Sequence, residues 1–124
     1  MADRPVVLLV DDEPRMLSAL RRTLRRTGLA LETASNAEEA LARTAKGPPV
    51  DLVISDHKMP GRTGVELLQE IRRVSPATAR ILLSGWTSEI DPGALAAAGC
   101  AAVLGKPWDV AELKAEIRAA LDDV

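Results

Sequence analysis

Residues 5–14 read PVVLLVDDEP, an unbroken apolar run followed by three acids and a proline. Consecutive apolar residues without alternation are typical of a β-strand that is buried on both faces. Pro14 fits the first turn of a helix, where its missing N–H costs little. The stretch therefore predicts a strand that leads directly into a helix, with Asp11 and Asp12 at the carboxyl end of the strand.

The same succession of strand and helix repeats along the chain. Further strands are predicted at residues 29–33, 50–55, 80–84 and 101–104. The capping signals that indicate helix starts are Ser35 or Asn36, Thr63, Asp91 and Asp109. No Asn-Gly hairpin signal lies between the strands. The pattern therefore predicts an α/β fold of five βα units, with a parallel sheet, right-handed crossovers and helices on both faces.

The predicted helices carry apolar residues at the spacing of one helix face. We expect the first helix to end at Gly28 and the second near Lys46. The residues expected to face inward are Leu17, Leu20 and Leu24 in the first helix, Val65, Leu68 and Ile71 in the third, and Val110, Leu113, Ile117 and Leu121 in the last.

Length and composition fit one globular domain over residues 1–124, either a complete protein or the N-terminal part of a longer one. The net charge of -2 argues against direct nucleic-acid binding, which usually requires a basic domain. No apolar run approaches the roughly 18 residues of a membrane span, and no signal peptide is apparent. Cys100 is the single cysteine, so we expect a reducing, cytoplasmic location.

Polar residues end or follow four of the five predicted strands. Asp11 and Asp12 come after the first strand and Asp56 after the third, Ser84 ends the fourth, and Lys106 lies near the end of the fifth. The carboxyl ends of parallel strands meet at one edge of a sheet, where ligands bind. Three carboxylates in one place repel one another and need a cation, and Mg²⁺ is the hard ion that such oxygen ligands suit. This set of groups supplies what phosphoryl transfer to a carboxylate requires.

At these residues the sequence resembles the receiver domain of two-component response regulators. The resemblance covers essentially the whole chain. The motifs that carry it are LLVDDE at 8–13, DLVISDHKMPGRTG at 51–64, ILLSG at 81–85 and KPW at 106–108. It implies a flavodoxin-like fold with strand order 2-1-3-4-5.

The resemblance also implies a role for each acid. Asp56 would accept a phosphoryl group from a sensor histidine kinase or a histidine phosphotransfer protein. Asp12 and Asp56 would ligate Mg²⁺ directly, Asp11 would contribute through water, and the backbone carbonyl of Lys58 would complete the protein ligands. The chain would be a switch that catalyses its own phosphorylation and loses the group slowly, rather than a metabolic enzyme.

Ser84 and Lys106 would bind the phosphoryl group in such a receiver, with Ser84 as the switch hydroxyl and the bond from Lys106 to Pro107 in cis. The output would be read at the loop after strand four and the face formed by helix four, strand five and helix five. A homodimer or a tethered effector domain would be the further partner.

Three positions are expected to modulate this behaviour. Val103 occupies the place of the usual aromatic switch residue, and the chain has no Tyr or Phe. The output is therefore expected to depend on the loop after Ser84, with Trp86 as its reporter. Lys58 and Trp86 flank the expected path of a hydrolytic water, and their bulk is expected to slow loss of the phosphoryl group.

The first predicted helix is rich in arginine: Arg15, Arg21, Arg22, Arg25 and Arg26. Two interpretations remain open, a solvated helix face and a basic surface that docks the kinase.

Other functions fit the sequence less well. An aspartyl-phosphate phosphatase or phosphotransferase of the haloacid dehalogenase type needs an Asp-x-Asp arrangement after the first strand, and residues 11–13 read DDE. A nucleotide-binding Rossmann unit needs a glycine-rich turn at the same place. A degenerate receiver that only binds partners is disfavoured because every expected site position is filled.

Overall fold

The computed structural model describes residues 4–85 and 89–122 and contains five strands, each followed by a helix. The elements are β1 (Val6–Val10), α1 (Pro14–Leu24), β2 (Ala30–Ala34), α2 (Ala37–Thr44), β3 (Leu52–Asp56), α3 (Gly64–Val74), β4 (Ala79–Ser84), α4 (Pro92–Ala98), β5 (Ala102–Gly105) and α5 (Val110–Asp122). Within these ranges, no helix has the length and apolar character needed to span a bilayer.

The strands form one parallel sheet in the order β2-β1-β3-β4-β5. This confirms the predicted fold class and strand order. The register aligns Val10 with Ser55 and Asp56 with Leu83. The carboxyl ends of β1, β3 and β4 therefore reach the same edge of the sheet.

The core has two layers, one on each face of the sheet. Leu8 and Val10 of β1 pack with α2, α3 and the end of α4, whereas Val7 and Leu9 pack with α1 and α5. All four side chains are at most 1% exposed. Each such aliphatic side chain contributes about 1.5–3 kcal/mol when it is buried, so the central strands hold the sheet edge in a fixed position.

The predicted helix caps are confirmed. The side chains of Asn36, Asp91 and Asp109 each accept a hydrogen bond from a backbone N–H of the first helical turn. Thr63 forms a capping box with Glu66, in which each side chain bonds to the backbone of the other residue. These short polar residues satisfy N–H groups that have no partner within the helix.

Two expectations about the helices were wrong. The first helix ends at Leu24 rather than at Gly28, because Arg25 already has an extended ψ of 141° and Arg26 follows with a positive φ of 70°. Val110 is 48% exposed although its spacing places it with the inward-facing residues of α5. It is the first residue of that helix, and the covered stripe begins one turn later at Leu113.

Gly64 begins α3 and lies against the end of β3. A Cβ atom at this position would lie 2.0 Å from the carbonyl oxygen of Asp56 and 2.8 Å from its carbonyl carbon. The amide of Gly64 also donates to the carbonyl of His57 at 2.8 Å. The absence of a side chain thus allows α3 to start in direct contact with the backbone of Asp56.

We expect Gly64→Ala to lower the free energy of unfolding by about 2–3 kcal/mol or more, because backbone atoms must move to admit the methyl group. Urea denaturation followed by circular dichroism measures the change. Gly105→Ala is the matched control, since a Cβ there meets no atom within 4 Å and φ is not positive. Equal stability of the two variants would contradict the steric argument.

Candidate functional site

Three acidic side chains meet at the carboxyl edge of the sheet. Asp11 and Asp12 follow β1 directly, and Asp56 is the last residue of β3. Carboxylate oxygens of the three residues lie within 4.8 Å of one another. Asp11 is 2% and Asp56 9% exposed, whereas Asp12 is open to solvent. The cluster therefore has two buried carboxylates and one that is accessible to solvent.

Lys106, which follows β5, enters this cluster from the opposite side. Its Nζ lies 3.0 Å from Asp11 Oδ2 and 2.9 Å from Asp56 Oδ1. The ammonium group of Lys106 thus forms ion pairs with two buried carboxylates. The peptide bond from Lys106 to Pro107 is cis.

Both oxygens of Asp11 have a partner. Oδ2 accepts from Lys106, and Oδ1 accepts from the backbone N–H of Glu13 at 2.9 Å. The side chain of Asp11 is therefore held in one orientation, and the exposed carboxylate of Asp12 is the more accessible of the pair.

Burial and charge act in opposite directions on these groups. Burial raises the pKa of Asp56 and the neighbouring Asp11 raises it further, and the hydrogen bond from Lys106 only partly offsets these effects. Burial alone would lower the pKa of Lys106, but its hydrogen bonds to Asp56 and Asp11 outweigh that effect and the pKa is raised. Lys106 is thus held in its charged form, while the negative charge on Asp56 is incompletely compensated.

A cavity of about 330 Å³ opens above the carboxylates. Its lining residues are Asp12, Glu13, Asp56, Lys58, Ser84, Gly85 and Lys106. Ser84 is buried at the end of β4 and contributes a hydroxyl group to this wall. Carboxylate, hydroxyl and ammonium groups thus surround a space large enough for a small anion and its ligands.

The backbone of Asp56 is held by contacts that the sequence pattern did not indicate. The hydroxyl of Ser55, which is fully buried, donates to the carbonyl of Asp56 at 2.8 Å. The next amide, that of His57, donates to the carbonyl of Leu83 at 3.2 Å. A serine inside an otherwise apolar strand was the one available signal, because a buried hydroxyl requires a partner.

The proposed modulating residues lie in different places. Lys58 lines the cavity, and its ammonium is 3.5 Å from the carboxylate of Glu89. Val103 is 36% exposed on β5 and lines a separate groove beside Leu95 and Cys100. Trp86 lies outside the described residues.

The comparisons with known proteins agree with this geometry. Residues 7–118 match the family described as the response regulator receiver domain. The signal receiver domain of an HD domain-containing protein from Pseudomonas fluorescens has a TM-score of 0.88 at 36% identity, covering 98% of this chain and 90% of that chain. The response regulator TrrA of Thermotoga maritima, crystallised in complex with Mg²⁺-BeF, has a TM-score of 0.85 at 33% identity, covering 94% of this chain and 99% of that chain.

Two transcriptional regulators illustrate the sequence relatives. The hydrogenase regulator HoxA of Cupriavidus necator is 41% identical over 124 residues, and KdpE of Mycobacterium tuberculosis is 37% identical over 116 residues. The alignments cover 98% and 94% of this chain, but only 25% of HoxA and 50% of KdpE. The chain thus spans a quarter to a half of the length of these two relatives. The family match and the structural likeness together show that the chain belongs to the receiver domain family of two-component response regulators.

Proposed function

We propose that Asp56 is the residue that accepts a phosphoryl group, from a sensor histidine kinase or a histidine phosphotransfer protein. The observation that carries this assignment is the position of its carboxylate, 2.9 Å from the ammonium of Lys106 and within 4.8 Å of the carboxylates of Asp11 and Asp12. Asp56 also lines the cavity through which a donor reaches the edge of the sheet.

The transfer is a displacement at phosphorus. A carboxylate oxygen of Asp56 forms the new O–P bond while the P–N bond to the donor histidine breaks. The imidazole leaves with the electron pair of that bond and takes up a proton. Asp56 must be ionised to act as the nucleophile, so the groups that compensate its charge are part of the reaction.

The chemistry of the donor set fits Mg²⁺. Asp11, Asp12 and Asp56 offer hard carboxylate oxygens, and Lys58, whose backbone carbonyl is also a hard donor, lines the same cavity. We assign direct ligation to Asp12, Asp56 and the Lys58 carbonyl, and a water-mediated role to Asp11, whose oxygens already have partners. When bound, the ion supplies positive charge that neutralises the phosphoryl oxygens during transfer.

Lys106 and Ser84 act on the phosphoryl group after it arrives. The ammonium of Lys106, which bonds to Asp56 before the transfer, is placed to bind a phosphoryl oxygen as a charge-assisted donor. The hydroxyl of Ser84 lines the same cavity and provides a second donor. Ser84 ends β4 and Lys106 follows β5, so a shift of either side chain would change the position of the strand end next to it.

We further propose that the domain is a cytoplasmic switch rather than a metabolic enzyme, and that it controls an effector. The length of HoxA and KdpE beyond the aligned region supports a tethered effector domain. The net charge of -2 supports an output through protein contacts rather than through direct binding of nucleic acid by this domain. The phosphatase alternative is not favoured, since the family match is to receiver domains.

We expect Asp56→Asn to abolish stable phosphoryl incorporation, because the amide nitrogen and oxygen cannot replace the ionised carboxylate as nucleophile. Incubation with acetyl phosphate and Mg²⁺, followed by intact mass spectrometry, measures the added group. Asp51→Asn, a change at the exposed residue just before the same strand, is the matched control and should be modified like the wild type. An unchanged extent of modification in Asp56→Asn would refute the assignment.

We expect Mg²⁺ to raise the free energy of unfolding of the wild type, by about 2.7 kcal/mol at a concentration one hundred times its Kd. Asp12→Asn should lose most of this effect, and its metal-free form should be more stable than the metal-free wild type because one repulsive charge is gone. Thermal denaturation with and without Mg²⁺ measures both effects. Asp122→Asn, another exposed acid, is the control, and an equal response to Mg²⁺ in the two variants would contradict the metal site.

The basic face of α1 provides a test of kinase docking. Arg15 and Arg22 are exposed on this helix, and Arg15 lies in its first turn next to the site. We expect Arg15→Glu and Arg22→Glu to slow transfer from the cognate kinase by about tenfold, because charge reversal removes electrostatic steering. Phosphorylation by acetyl phosphate should be unchanged. Lys46→Glu, after α2, is the control, and equal slowing with it would favour a merely solvated face.

A further inference from the structure

The helix α4 has little apolar surface to hold it in place. It has seven residues, PGALAAA, and Ala98 alone among them is buried. Leu95 and Ala94 are partly covered and pack against the core. A helix of this length is not stable by itself, so its position depends on contacts with the rest of the domain.

Two arginines from other elements bind the C-terminal end of α4. The Nη1 atom of Arg72, on α3, donates to the carbonyls of Ala96 at 3.3 Å and Ala97 at 3.1 Å. The guanidinium of Arg80, on β4, donates to the carbonyls of residues 98 and 99 at 2.9 and 3.3 Å. Four consecutive carbonyl groups thus accept from guanidinium groups. The last carbonyls of a helix lack their regular intrahelical partners, although that of Ala96 also accepts from the amide of Gly99 at 3.1 Å. Positive charge is favourable at that end.

Arg80 is also anchored outside α4, and Gly99 leaves room for Arg72. Arg80 also donates to the carbonyl of Thr78 at 2.7 Å, which ties its guanidinium to the start of β4. Gly99 has a positive φ of 60°, and a Cβ there would lie 3.1 Å from the guanidinium of Arg72. The glycine both ends the helix and leaves room for Arg72. Gln69 of α3 adds a bond to the carbonyl of Ala94 at 2.9 Å.

The N-terminal end of α4 is held differently. Asp91 accepts a hydrogen bond from the amide of Ala94 at 2.9 Å, a contact within the first turn of the helix. Ile90, just before it, is buried by apolar contacts, which have no directional requirement. Residues 91–93 are exposed. This end also follows the segment that leads from Ser84, at the phosphoryl site, into the helix.

We propose that Arg72 and Arg80 fix the C-terminal end of α4 to α3 and β4, so that phosphorylation of Asp56 moves the N-terminal end of α4 about this fixed point. The proposal rests on the function proposed for Asp56. Movement of the whole helix would require four charged hydrogen bonds to break together, whereas movement at residues 90–93 shifts apolar contacts and a local cap.

The test compares backbone amide NMR shifts before and after addition of Mg²⁺ and beryllofluoride. In the wild type, shifts at residues 91–95 should change and those at 96–101 should stay. In the Arg72→Met, Arg80→Met double variant the changes should extend through residues 96–101. Even without the mimic, hydrogen exchange at residues 98–101 of this variant should rise about tenfold, as loss of bonds from charged donors implies.

Arg73→Met is the matched control, because Arg73 follows Arg72 on α3 but pairs with Glu70 instead of α4. Shifts in wild-type residues 96–101 as large as those in 91–95 would overturn the proposal, as would unchanged exchange in the double variant. Arg72→Met alone, at an exposed residue, replaces the double variant if that variant does not fold. A lack of any shift at residues 11, 12 and 56 would refute the function of Asp56, while the exchange arm still decides whether the arginines hold the helix.

Discussion

The constraint on which the site depends is the placement of three carboxylates around one ammonium. Lys106 bonds to both Asp11 and Asp56, the two buried acids, and Asp12 remains exposed beside them. Burial raises the pKa of Asp56 and the negative charge of Asp11 adds to this effect, which the one ammonium only partly offsets. A raised pKa in the folded protein means that ionisation of Asp56 opposes folding, so the contribution of this group to stability is lost as the pH rises from the ordinary pKa of an aspartate through the raised one. On the proposed function, the same excess of negative charge gives a divalent cation its affinity, and the bound cation then keeps Asp56 ionised as the nucleophile.

A charged cluster of this kind requires a rigid support, and the central strands supply it. Residues 52–55 of β3 are fully buried, so the end of that strand has no freedom to relax away from the repulsion. Gly64 allows α3 to begin against the carbonyl of Asp56, and Ser55 donates to the same carbonyl. The N-terminal end of a helix also carries partial positive charge. The backbone around Asp56 is therefore fixed by apolar packing, by the start of α3 and by the buried hydroxyl of Ser55.

The sequence indicated the location of the site because the chemistry follows directly after strands. Asp11, Asp56 and Ser84 each end or follow an apolar run, so the rule for parallel sheets brought them together without a structure. The sequence did not indicate the contacts that Arg72 and Arg80 make with the end of α4. Arg72 and Ala97 are 25 residues apart, and nothing in the pattern of α3 distinguishes Arg72 from Arg73. Val110 shows a related limit, since periodicity identifies the face of a helix but not how far the neighbouring layer extends over it. Nothing in the sequence indicated the positive φ of Arg26, because that backbone conformation is unusual for arginine.

On the proposed function, phosphorylation of Asp56 must change the surface of the domain without the rotation of an aromatic ring in β5. Val103 stands at that position and has no polar group or ring to reorient, and the chain contains neither Tyr nor Phe. We propose that the connection runs through the residues that join β4 to α4. The ion pair of Lys58 with Glu89 joins this segment to the loop after Asp56, and both side chains are more than 60% exposed, so the pair contributes little to stability. The exposed ion pair of Lys58 with Glu89 holds the N-terminal side of α4 weakly, whereas Arg72 and Arg80 hold its C-terminal end by four hydrogen bonds. We therefore expect the N-terminal side of the helix to move more easily. On the proposed function, phosphorylation of Asp56 would displace the weakly held N-terminal side of α4, and the fixed C-terminal end would turn that displacement into a change of helix orientation.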